Sequence, residues 1–297
     1  MPYAIRVPDL RGGYVDVVET VLRDGRTTSP RGQVTTELLD VIIEVEDPYD
    51  VLPVGVGRKL NLGIAAYEAA QLVAGVSEPD VITKIAPQFE RYMDNGAFWG
   101  AYGRRVGDQL EAVVRKLSED PDSRQAVVTL WNPDLDNTPG KSDYPCTVML
   151  QFLIRDDRLV MHTTMRSNDV WLGLAYDVFM FSQTQITIAG ALGVPVGSYH
   201  HHAVSLHLYE RDVPKVDRLV RPTPTSMRPM PRLVGFSAPI AGDPVRKMQY
   251  ARREAAATIT LALSGADEAR MDERYAGAVS VDWYIRAMRE AIARGET

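Results

Sequence analysis

The order of strand-like and helical segments restricts the fold of this chain more than any other feature. Three strand-like segments, rich in β-branched and apolar residues, follow one another at 125–131, 147–155 and 158–165. An Asp156-Asp157 turn joins the last two. A long apolar segment, 170–192, predicts a helix, and a further strand-like segment follows at 198–209. Because strands and helices do not alternate strictly, the sequence favours an α+β fold.

The remaining segments extend this pattern toward both termini. Asp108 is placed to cap a helix that runs through Leu117, and the helical spacing of 14–24 stops at Gly25. The other predicted helices are 61–74 and the tail 246–297, and the other predicted strand is 33–46. The Pro-rich segment 221–245 is expected to be a surface excursion. Since no internal repeat is present, we expect residues 1–297 to form a single domain.

The charge and composition of the chain limit its partners and location. A net charge of -6 should not attract nucleic acid, so any phosphate site must be a local cluster of arginines. The single cysteine, Cys146, cannot form an internal disulfide, which fits a reducing cytoplasm, and the N-terminus lacks the apolar run of a signal peptide. Asp177, Gln183 and Gln185 interrupt the segment 170–192, which therefore predicts a buried helix. We expect a cytoplasmic protein without nucleic-acid or membrane partners.

Two short segments bring reactive side chains together. Cys146 follows Pro145 at the start of a predicted strand and can face a pocket, although most lone cysteines are small buried apolar residues. The segment 166–169 places a guanidinium, a hydroxyl and a carboxylate at a strand end, which suits a phosphate monoester but also occurs in solvated turns. Asp177 lies inside the apolar helix, where it needs a partner, either a core group or a ligand.

Three consecutive histidines raise the question of a metal site. Neighbouring side chains on a strand point to opposite faces, so His200, His201 and His202 cannot all face one ion. No zinc-like spacing of ligands accompanies them. We therefore expect no metal at this strand, and the residues alone assign the triplet no other role.

Taken in order, these segments resemble the core of the thymidylate synthase family. That family shows an SRR phosphate segment, a PCH nucleophile, QF, QRSxDxxLGxPFN and a final HxY. The corresponding segments here are DPDSRQAVVTLWNPDL, YPCTVMLQF, LVMHTTMRSNDVWLGLAYDVF and GSYHHHAVSLHLY. Glu68 stands seven residues before Gly75, as in the family's HELLWFLxG helix, and 102–103 and 29–32 are similar to its VYG and DRTG. The likeness spans about 14–210 and implies a mixed sheet packed with helices, with one sheet face at a dimer interface.

The resemblance implies a one-carbon transfer onto a pyrimidine nucleoside monophosphate. Cys146 would attack C6 of the base, C5 would take a one-carbon unit from 5,10-methylenetetrahydrofolate, and Glu68 would handle protons and water. No metal is implied. The phosphate residues would be Arg31, Arg166, Ser167 and Arg124 of the partner subunit of a homodimer; the sugar residues His207 and Tyr209; the folate residues Phe89, Tyr92, Asp169 and Gly173; and the other pocket residues Tyr102, Thr147 and Met165.

Departures from the family pattern bear on the base. The asparagine of the family's PFN is Asp177 here. An amide answers the N3–H and O4 of uracil, whereas a carboxylate accepts from the amine of cytosine and from N3 once the ring is protonated. Asp177 would thus be a catalytic residue that selects cytosine, as in the family's cytidylate hydroxymethylase branch. Thr147 and Met165 replace the family's histidine and glutamine, and 203–205 replaces its GGD, which suggests a folate pocket that admits water.

The sequence therefore predicts a cytidylate 5-hydroxymethyltransferase, in which water completes the reaction. An arginine-rich composition indicates a GC-rich bacterial genome. The resemblance implies that deoxycytidylate enzymes serve phages and cytidylate enzymes serve nucleoside-antibiotic biosynthesis, so CMP and such a pathway are favoured over dCMP. A thymidylate synthase that methylates dUMP is the alternative, against which Asp177 argues. A nucleotide- or RNA-binding regulator is the non-enzymatic alternative, against which the retention of both Cys146 and Glu68 argues.

Overall fold

The chain folds into strands and helices in the mixed order that the sequence predicts. The computed structural model describes residues 3–221, 231–236, 241–264 and 279–295. The strands, numbered β1 to β8 along the chain, are Tyr3–Val7, Arg26–Thr28, Thr35–Val45, Val127–Thr129, Thr147–Arg155, Arg158–Met165, Asn168–Asp169 and Val196–Tyr209. The helices, numbered α1 to α10, are Leu10–Asp24, Leu62–Ala74, Pro79–Ile85, Tyr102–Val106, Gln109–Glu119, Pro133–Asp136, Leu174–Leu192, Val213–Val216, Pro244–Ser264 and Val279–Gly295.

The strands join one mixed sheet. Its order is β1-β3-β8-β6-β5-β4, with β2 beside β3 and β7 beside β8. Three pairs are parallel, β1 with β3, β6 with β8 and β7 with β8, and the others are antiparallel. This architecture confirms the predicted α+β class with a mixed sheet packed against helices.

The hairpin between β5 and β6 turns where the sequence predicts. Asp156 and Asp157 both adopt a positive φ, 50° and 57°. A two-residue hairpin of this kind needs left-handed backbone at both positions, and aspartate is one of the few side chains that tolerates it. The turn fixes the register in which Arg155 pairs with Arg158 and Phe152 with Met161.

One face of the sheet packs against α7. Along β8, Tyr199, His201 and Ala203 are fully buried on this side, as the period of two predicts. Gln185 anchors the helix, because its Nε2 donates to the carbonyls of Leu159 at 2.8 Å and Ser198 at 3.1 Å. Although α7 is apolar and buried, no helix within the described residues has the length and hydrophobicity needed to cross a bilayer.

The opposite face of the sheet is open in the single chain. Side chains of β3 and β8 on this side include Leu39, 60% exposed, and Val204, 45% exposed. Asp40 interrupts the pairing with a positive φ of 58°, and its carboxylate meets His202 at 3.0 Å. No described part of the chain covers these apolar side chains, so the face is available to a partner.

The two tail helices cover α2. Helices α9 and α10 both pack on α2, and Tyr284 of α10 donates a hydrogen bond of 2.9 Å to Gln183 of α7. Gly63 of α2 lies so close to α10 that a Cβ placed there would be 2.3 Å from the Cβ of Ala291. The predicted helical tail is therefore confirmed in the described residues, and it supports the helix on which Glu68 lies.

Several elements differ from the sequence predictions. Strand β1 has no counterpart among them, and β4 is only three residues of the predicted 125–131. Asp108 stands at the N-cap position of α5, but its side chain makes no capping bond and pairs with Arg252 at 2.8 Å instead. About half of the Pro-rich segment 221–245 lies outside the described residues, and the described part corrects the expected surface excursion, because Leu233 and Phe236 are buried in the core and Phe236 stacks on Tyr284.

Candidate active site

Three chemically active side chains from different elements meet at one pocket. Cys146 immediately precedes β5, Glu68 lies on α2, and Asp177 lies in the first turn of α7. All three line a cavity of about 250 Å³. The distant sequence positions therefore form one site, which is the arrangement that the three predicted catalytic residues require.

The environment of Cys146 both buries the thiol and offers it a cation. The backbone N–H of Arg166 donates to the carbonyl of Cys146 at 2.9 Å. The Nη2 atom of the Arg166 guanidinium lies 3.8 Å from Sγ of Cys146. Burial raises the pKa of the thiol to about 11, while the charges of Arg166 and Arg31 oppose that rise. The thiol is consequently protonated at neutral pH in this state, and added positive charge favours the reactive thiolate.

Glu68 is a buried acid that keeps its proton at neutral pH. Burial raises its pKa to about 8, and the nearby charge of Asp177 adds to the rise. No hydrogen bond joins its carboxyl group to another described residue. A protonated carboxylic acid facing a cavity can give its proton to a bound molecule, and the carboxylate that remains can take one back.

Asp177 is poised between two protonation states. Burial raises its pKa to about 7, and the hydrogen bond from Asn168 opposes that rise. Nδ2 of Asn168 donates to Oδ2 of Asp177 at 2.7 Å. The other carboxylate oxygen, Oδ1, has no hydrogen-bond partner among the described residues, so it is the one available to a ligand in the pocket.

A second, polar cavity adjoins the first at Tyr144. Its volume is about 430 Å³. The predicted phosphate and sugar residues that line it are Arg31, Arg166, Ser167, His207 and Tyr209. Neither arginine has an ion pair among the described residues, and Ser167 lies 3.4 Å from Nδ1 of His207. Guanidinium groups without a carboxylate partner, beside hydroxyl and imidazole donors, fit a phosphate monoester and a sugar hydroxyl.

Aromatic side chains form one wall of the first cavity. Phe89 packs edge-on against Tyr92 and Phe98, with ring centroids 6.2 Å and 6.4 Å apart. Tyr102 stacks on Phe181 and accepts a hydrogen bond of 3.1 Å from the backbone N–H of Thr147. An aromatic, largely apolar wall beside Cys146 fits the heteroaromatic ring of a folate.

The other two predicted folate residues, Asp169 and Gly173, pack at the start of α7. Oδ1 of Asp169 accepts from the N–H groups of Trp171 and Leu172, and burial raises the pKa of Asp169. Gly173 is closely packed, because a Cβ there would lie 3.0 Å from both Asn168 Nδ2 and Asp177 Oδ2 and would press on both side chains. Neither residue lines the cavity of Cys146.

Two predicted pocket residues, and the Arg124 predicted to reach the partner's phosphate, line neither cavity. Thr147 and Met165 are fully buried in paired positions of β5 and β6 and line neither cavity, which corrects our expectation. Their side chains point into the core because both lie on the helix-facing side of the sheet. Arg124 is exposed, lines neither cavity of its own chain, and accepts at its carbonyl from Gln151.

Residues to which the sequence assigned no role at the site complete it. Asn168 and His201, both buried, connect Asp177 to the core of the sheet, and Asp143 and Tyr144 line the cavity. The alternation of the histidine triplet was the available signal, since it directs the middle histidine opposite to its neighbours. Within the described residues, no three His, Cys, Asp or Glu side chains are grouped so as to hold a metal ion.

Comparison with known proteins identifies relatives. The family model described as thymidylate synthase matches residues 12–236. A deoxyuridylate hydroxymethyltransferase of Bacillus phage SP01 is 32% identical over 217 residues, 67% of this chain and 57% of that protein. One of Pseudomonas phage M6 is 30% identical over 194 residues, 61% and 55%. A putative thymidylate synthase of Methanothermobacter thermautotrophicus (strain Delta H) is 27% identical over 238 residues, 74% and 100%.

The structural comparison supports the fold. The thermostable thymidylate synthase A from Bacillus subtilis superimposes with a TM-score of 0.58 at 20% identity, over 69% of this chain and 81% of that one. This similarity concerns the fold alone. The chain spans little more than half the length of the two phage relatives.

Proposed function

The chain belongs to the thymidylate synthase family, and on that premise we propose that it is a cytidylate 5-hydroxymethyltransferase. The reaction converts a cytidine monophosphate, 5,10-methylenetetrahydrofolate and water into the 5-hydroxymethyl nucleotide and tetrahydrofolate. CMP is the preferred substrate and dCMP the alternative. A place in nucleoside-antibiotic biosynthesis is part of this proposal, as is the folding of the whole chain as one domain.

The observation that carries the proposal is the carboxylate of Asp177 at the pocket. Its Oδ2 is held by Asn168 and its Oδ1 is free to meet a base. An ionised carboxylate accepts from the exocyclic amine of cytosine and repels the O4 oxygen of uracil. It also stabilises the positive charge that develops when N3 is protonated during attack at C6.

The proposed chemistry uses two further residues of the same pocket. Sγ of Cys146 forms a bond to C6 of the base, and the electron pair of the C5–C6 bond makes C5 nucleophilic. Arg166, with Nη2 3.8 Å from the sulfur, favours the thiolate. Glu68 exchanges a proton with the base and with water, a role that fits its raised pKa of about 8. C5 would form a bond to the one-carbon unit and lose its proton, and tetrahydrofolate would leave with the electron pair of the bond between its nitrogen and that carbon. Water would then add to the carbon, and the C5–C6 double bond would re-form as the sulfur of Cys146 leaves with its electron pair, which regenerates the enzyme.

The remaining residues hold the substrates. Arg31, Arg166 and Ser167 would bind the phosphate, and His207 and Tyr209 the sugar hydroxyl. Phe89 and Tyr92 would stack against the folate, which when bound supplies a one-carbon unit at the oxidation level of formaldehyde. Asp169 and Gly173 would act from behind, by fixing the start of α7.

A second candidate is hydroxymethylation of a deoxyuridylate. The relatives from phages SP01 and M6 bear the name deoxyuridylate hydroxymethyltransferase, which supports transfer with water and points to uracil. A protonated Asp177 would offer one donor and one acceptor, as an amide does, and could then meet uracil. A thymidylate synthase activity on dUMP is the third candidate.

One experiment separates these candidates. The protein is incubated with 5,10-methylenetetrahydrofolate and, in parallel, with CMP, dCMP, UMP and dUMP, and the products are identified by mass. We expect 5-hydroxymethyl products from the cytidylates, with more from CMP. A hydroxymethyl product from deoxyuridylate alone would instead establish the second candidate, and a methyl product the third.

Arg166→Ala is expected to weaken nucleotide binding. Loss of a charge-assisted phosphate contact should cost about 2–4 kcal/mol, roughly 30-fold to 1,000-fold in affinity. Calorimetry with CMP measures the change. Arg115→Ala, which removes an exposed arginine on α5, is the control and should bind normally. Equal affinities for the two variants would remove Arg166 from the phosphate site.

We also propose a homodimer formed through the open face of the sheet, with Arg124 reaching the phosphate of the partner. Leu39 and Val204 supply exposed apolar area on that face. Mixing a Cys146→Ala chain with an Arg124→Ala chain should then restore about a quarter of the wild-type rate at low nucleotide concentration, because half of the dimers are mixed and each has one intact site. A fully active monomer in sedimentation, or no restoration, would contradict the shared site.

A further inference from the structure

A chain of buried hydrogen bonds runs from Asp177 into the core of the sheet. Asn168 Nδ2 donates to Asp177, and Asn168 Oδ1 lies 3.0 Å from Nε2 of His201. Nδ1 of His201 lies 2.9 Å from the hydroxyl of Tyr199, which lies 3.1 Å from Oγ1 of Thr163. The four residues behind Asp177 are each at most 3% exposed. Solvent therefore does not compete for these bonds.

The chain has only two consistent orders of its protons. Burial lowers the pKa of His201 to about 3, so its ring is neutral and has one N–H. If that proton is on Nε2, His201 donates to the Asn168 oxygen, the Asn168 amide nitrogen donates to Asp177, and Nδ1 accepts from Tyr199. Asp177 is then an acceptor. The reverse order places the proton on Nδ1, turns the amide of Asn168 around, and requires a protonated Asp177 as donor.

We propose that Asn168, His201, Tyr199 and Thr163 form a relay that fixes Asp177 as a hydrogen-bond acceptor and thereby determines which pyrimidine base the pocket takes. This inference rests on the proposed function, because it assigns the reading of the base to Asp177. Asn168 and His201 are positioning residues, since they act through Asp177 and line neither cavity.

The order that makes Asp177 an acceptor is the one that the arrangement supports. The amide nitrogen of Asn168 donates to Asp177, so the Asn168 oxygen faces His201 and requires the His201 proton on Nε2. Nδ1 of His201 then accepts from the Tyr199 hydroxyl, which donates to Thr163 in this structure and rotates to donate to His201 instead. Asp177 accepts the bond from Asn168 and is stabilised as a carboxylate. The glycine at 173 leaves just enough room for this pair, because a Cβ there would crowd both atoms of the bond.

Other ionisable groups also face Asp177, and they act in the opposite direction. A negative charge on any of them disfavours its carboxylate. Those that interact with it through space are Glu68 on α2, Asp169 on β7, Cys146 before β5, Tyr102 on α4 and Tyr199 on β8. The bond from Asn168 is thus the main local contribution that keeps the pKa of Asp177 near 7 rather than higher.

The test replaces Asn168 with leucine, which has a similar size and no donor. Loss of the bond raises the pKa of Asp177, so the carboxylate persists only at higher pH. The rise in tritium release from C5-labelled CMP with pH should move upward by about one pH unit, and the preference for CMP over dUMP should fall at least about tenfold. Affinity for inorganic phosphate should not change, whereas a general loss of structure would weaken it.

Variants of His201 and Tyr199 test the relay independently if Asn168→Leu does not fold. His201→Gln retains an N–H near the position of Nε2 and should stay close to wild type, whereas His201→Met should behave like Asn168→Leu. Tyr199→Phe removes a single oxygen and should shift the pH midpoint in the same direction. Thr184→Val is the matched control, because it removes a buried hydroxyl of α7 whose one hydrogen bond within the described part of the chain goes to the carbonyl of Met180.

The outcomes separate the relay from the proposed substrate. A wild type that uses only dUMP would overturn the cytidylate proposal. The relay would still predict that Asn168→Leu raises the Asp177 midpoint, seen then as dUMP activity that persists to higher pH. If Asn168→Leu, His201→Met and Tyr199→Phe all keep the wild-type midpoint and base preference, or if Thr184→Val shifts them equally, the relay is refuted.

Discussion

Replacing Cys146 with alanine is expected to lower product formation at least about a thousandfold and to leave nucleotide affinity almost unchanged. The chain has no other thiol that could form a bond to C6. The groups proposed to bind the phosphate and the sugar lie in the neighbouring cavity and do not depend on the sulfur. Tritium release from C5-labelled CMP measures the first effect and calorimetry the second.

The control for this prediction is the contact between Cys146 and Arg166. That contact is made mainly by backbone groups, so alanine should preserve the position of the guanidinium. Tight CMP binding without tritium release would therefore identify the sulfur as the nucleophile. If Cys146→Ala retained more than a few per cent of wild-type turnover, the covalent mechanism would be wrong.

Asp177→Asn is expected to exchange the base preference of the enzyme. The amide provides one donor and one acceptor in the space of the carboxylate, which suits O4 and N3–H of uracil. A mismatch that leaves buried polar groups unpaired costs several kcal/mol, so activity on CMP should fall at least about a hundredfold and activity on dUMP should appear or rise. Competition between differently labelled CMP and dUMP in one reaction measures the ratio directly.

The pH dependence provides an independent reading of the same residue. Because the folded pKa of Asp177 is about 7, activity that needs its carboxylate should rise as the pH increases through 7. The asparagine variant has no such group, and its dUMP activity should not show that rise through pH 7. Asp134→Asn, an exposed neutralisation on α6, is the control and should keep both the wild-type rise and the wild-type preference. An unmoved base preference in Asp177→Asn would refute the cytosine assignment.

Local signals were sufficient to predict the main elements of the fold. The helix ends at Gly25 and Gly75, the turn at Asp156-Asp157 and the period of β8 all follow from residues near one another in sequence. Strand β1 was missed because its five residues gain their stability from parallel pairing with β3, a contact between distant parts of the chain. The short β4 depends likewise on β5.

The sequence could predict a site residue only where the residue type itself indicates a chemical role. Cys146, Glu68 and Asp177 do meet in one cavity, and the separation of Thr147 and Met165 from it follows from which face of the sheet their positions occupy. Sequence alone did not connect Asn168 or His201 to Asp177. Their bonds join three elements, β7, β8 and α7, and depend on sub-ångström distances that no local pattern encodes.

The packing of α10 on α2 limits how this enzyme can be recombined with its relatives. Residues 12–236 match the family, but the cover over the helix of Glu68 lies beyond that segment, in α9 and α10. A chimera that joined this catalytic segment to a foreign tail would have to offer a small side chain opposite Gly63, where even one carbon atom has no room. Helices α2, α9 and α10 therefore have to be kept together when the protein is recombined with a relative, although they are far apart in the chain.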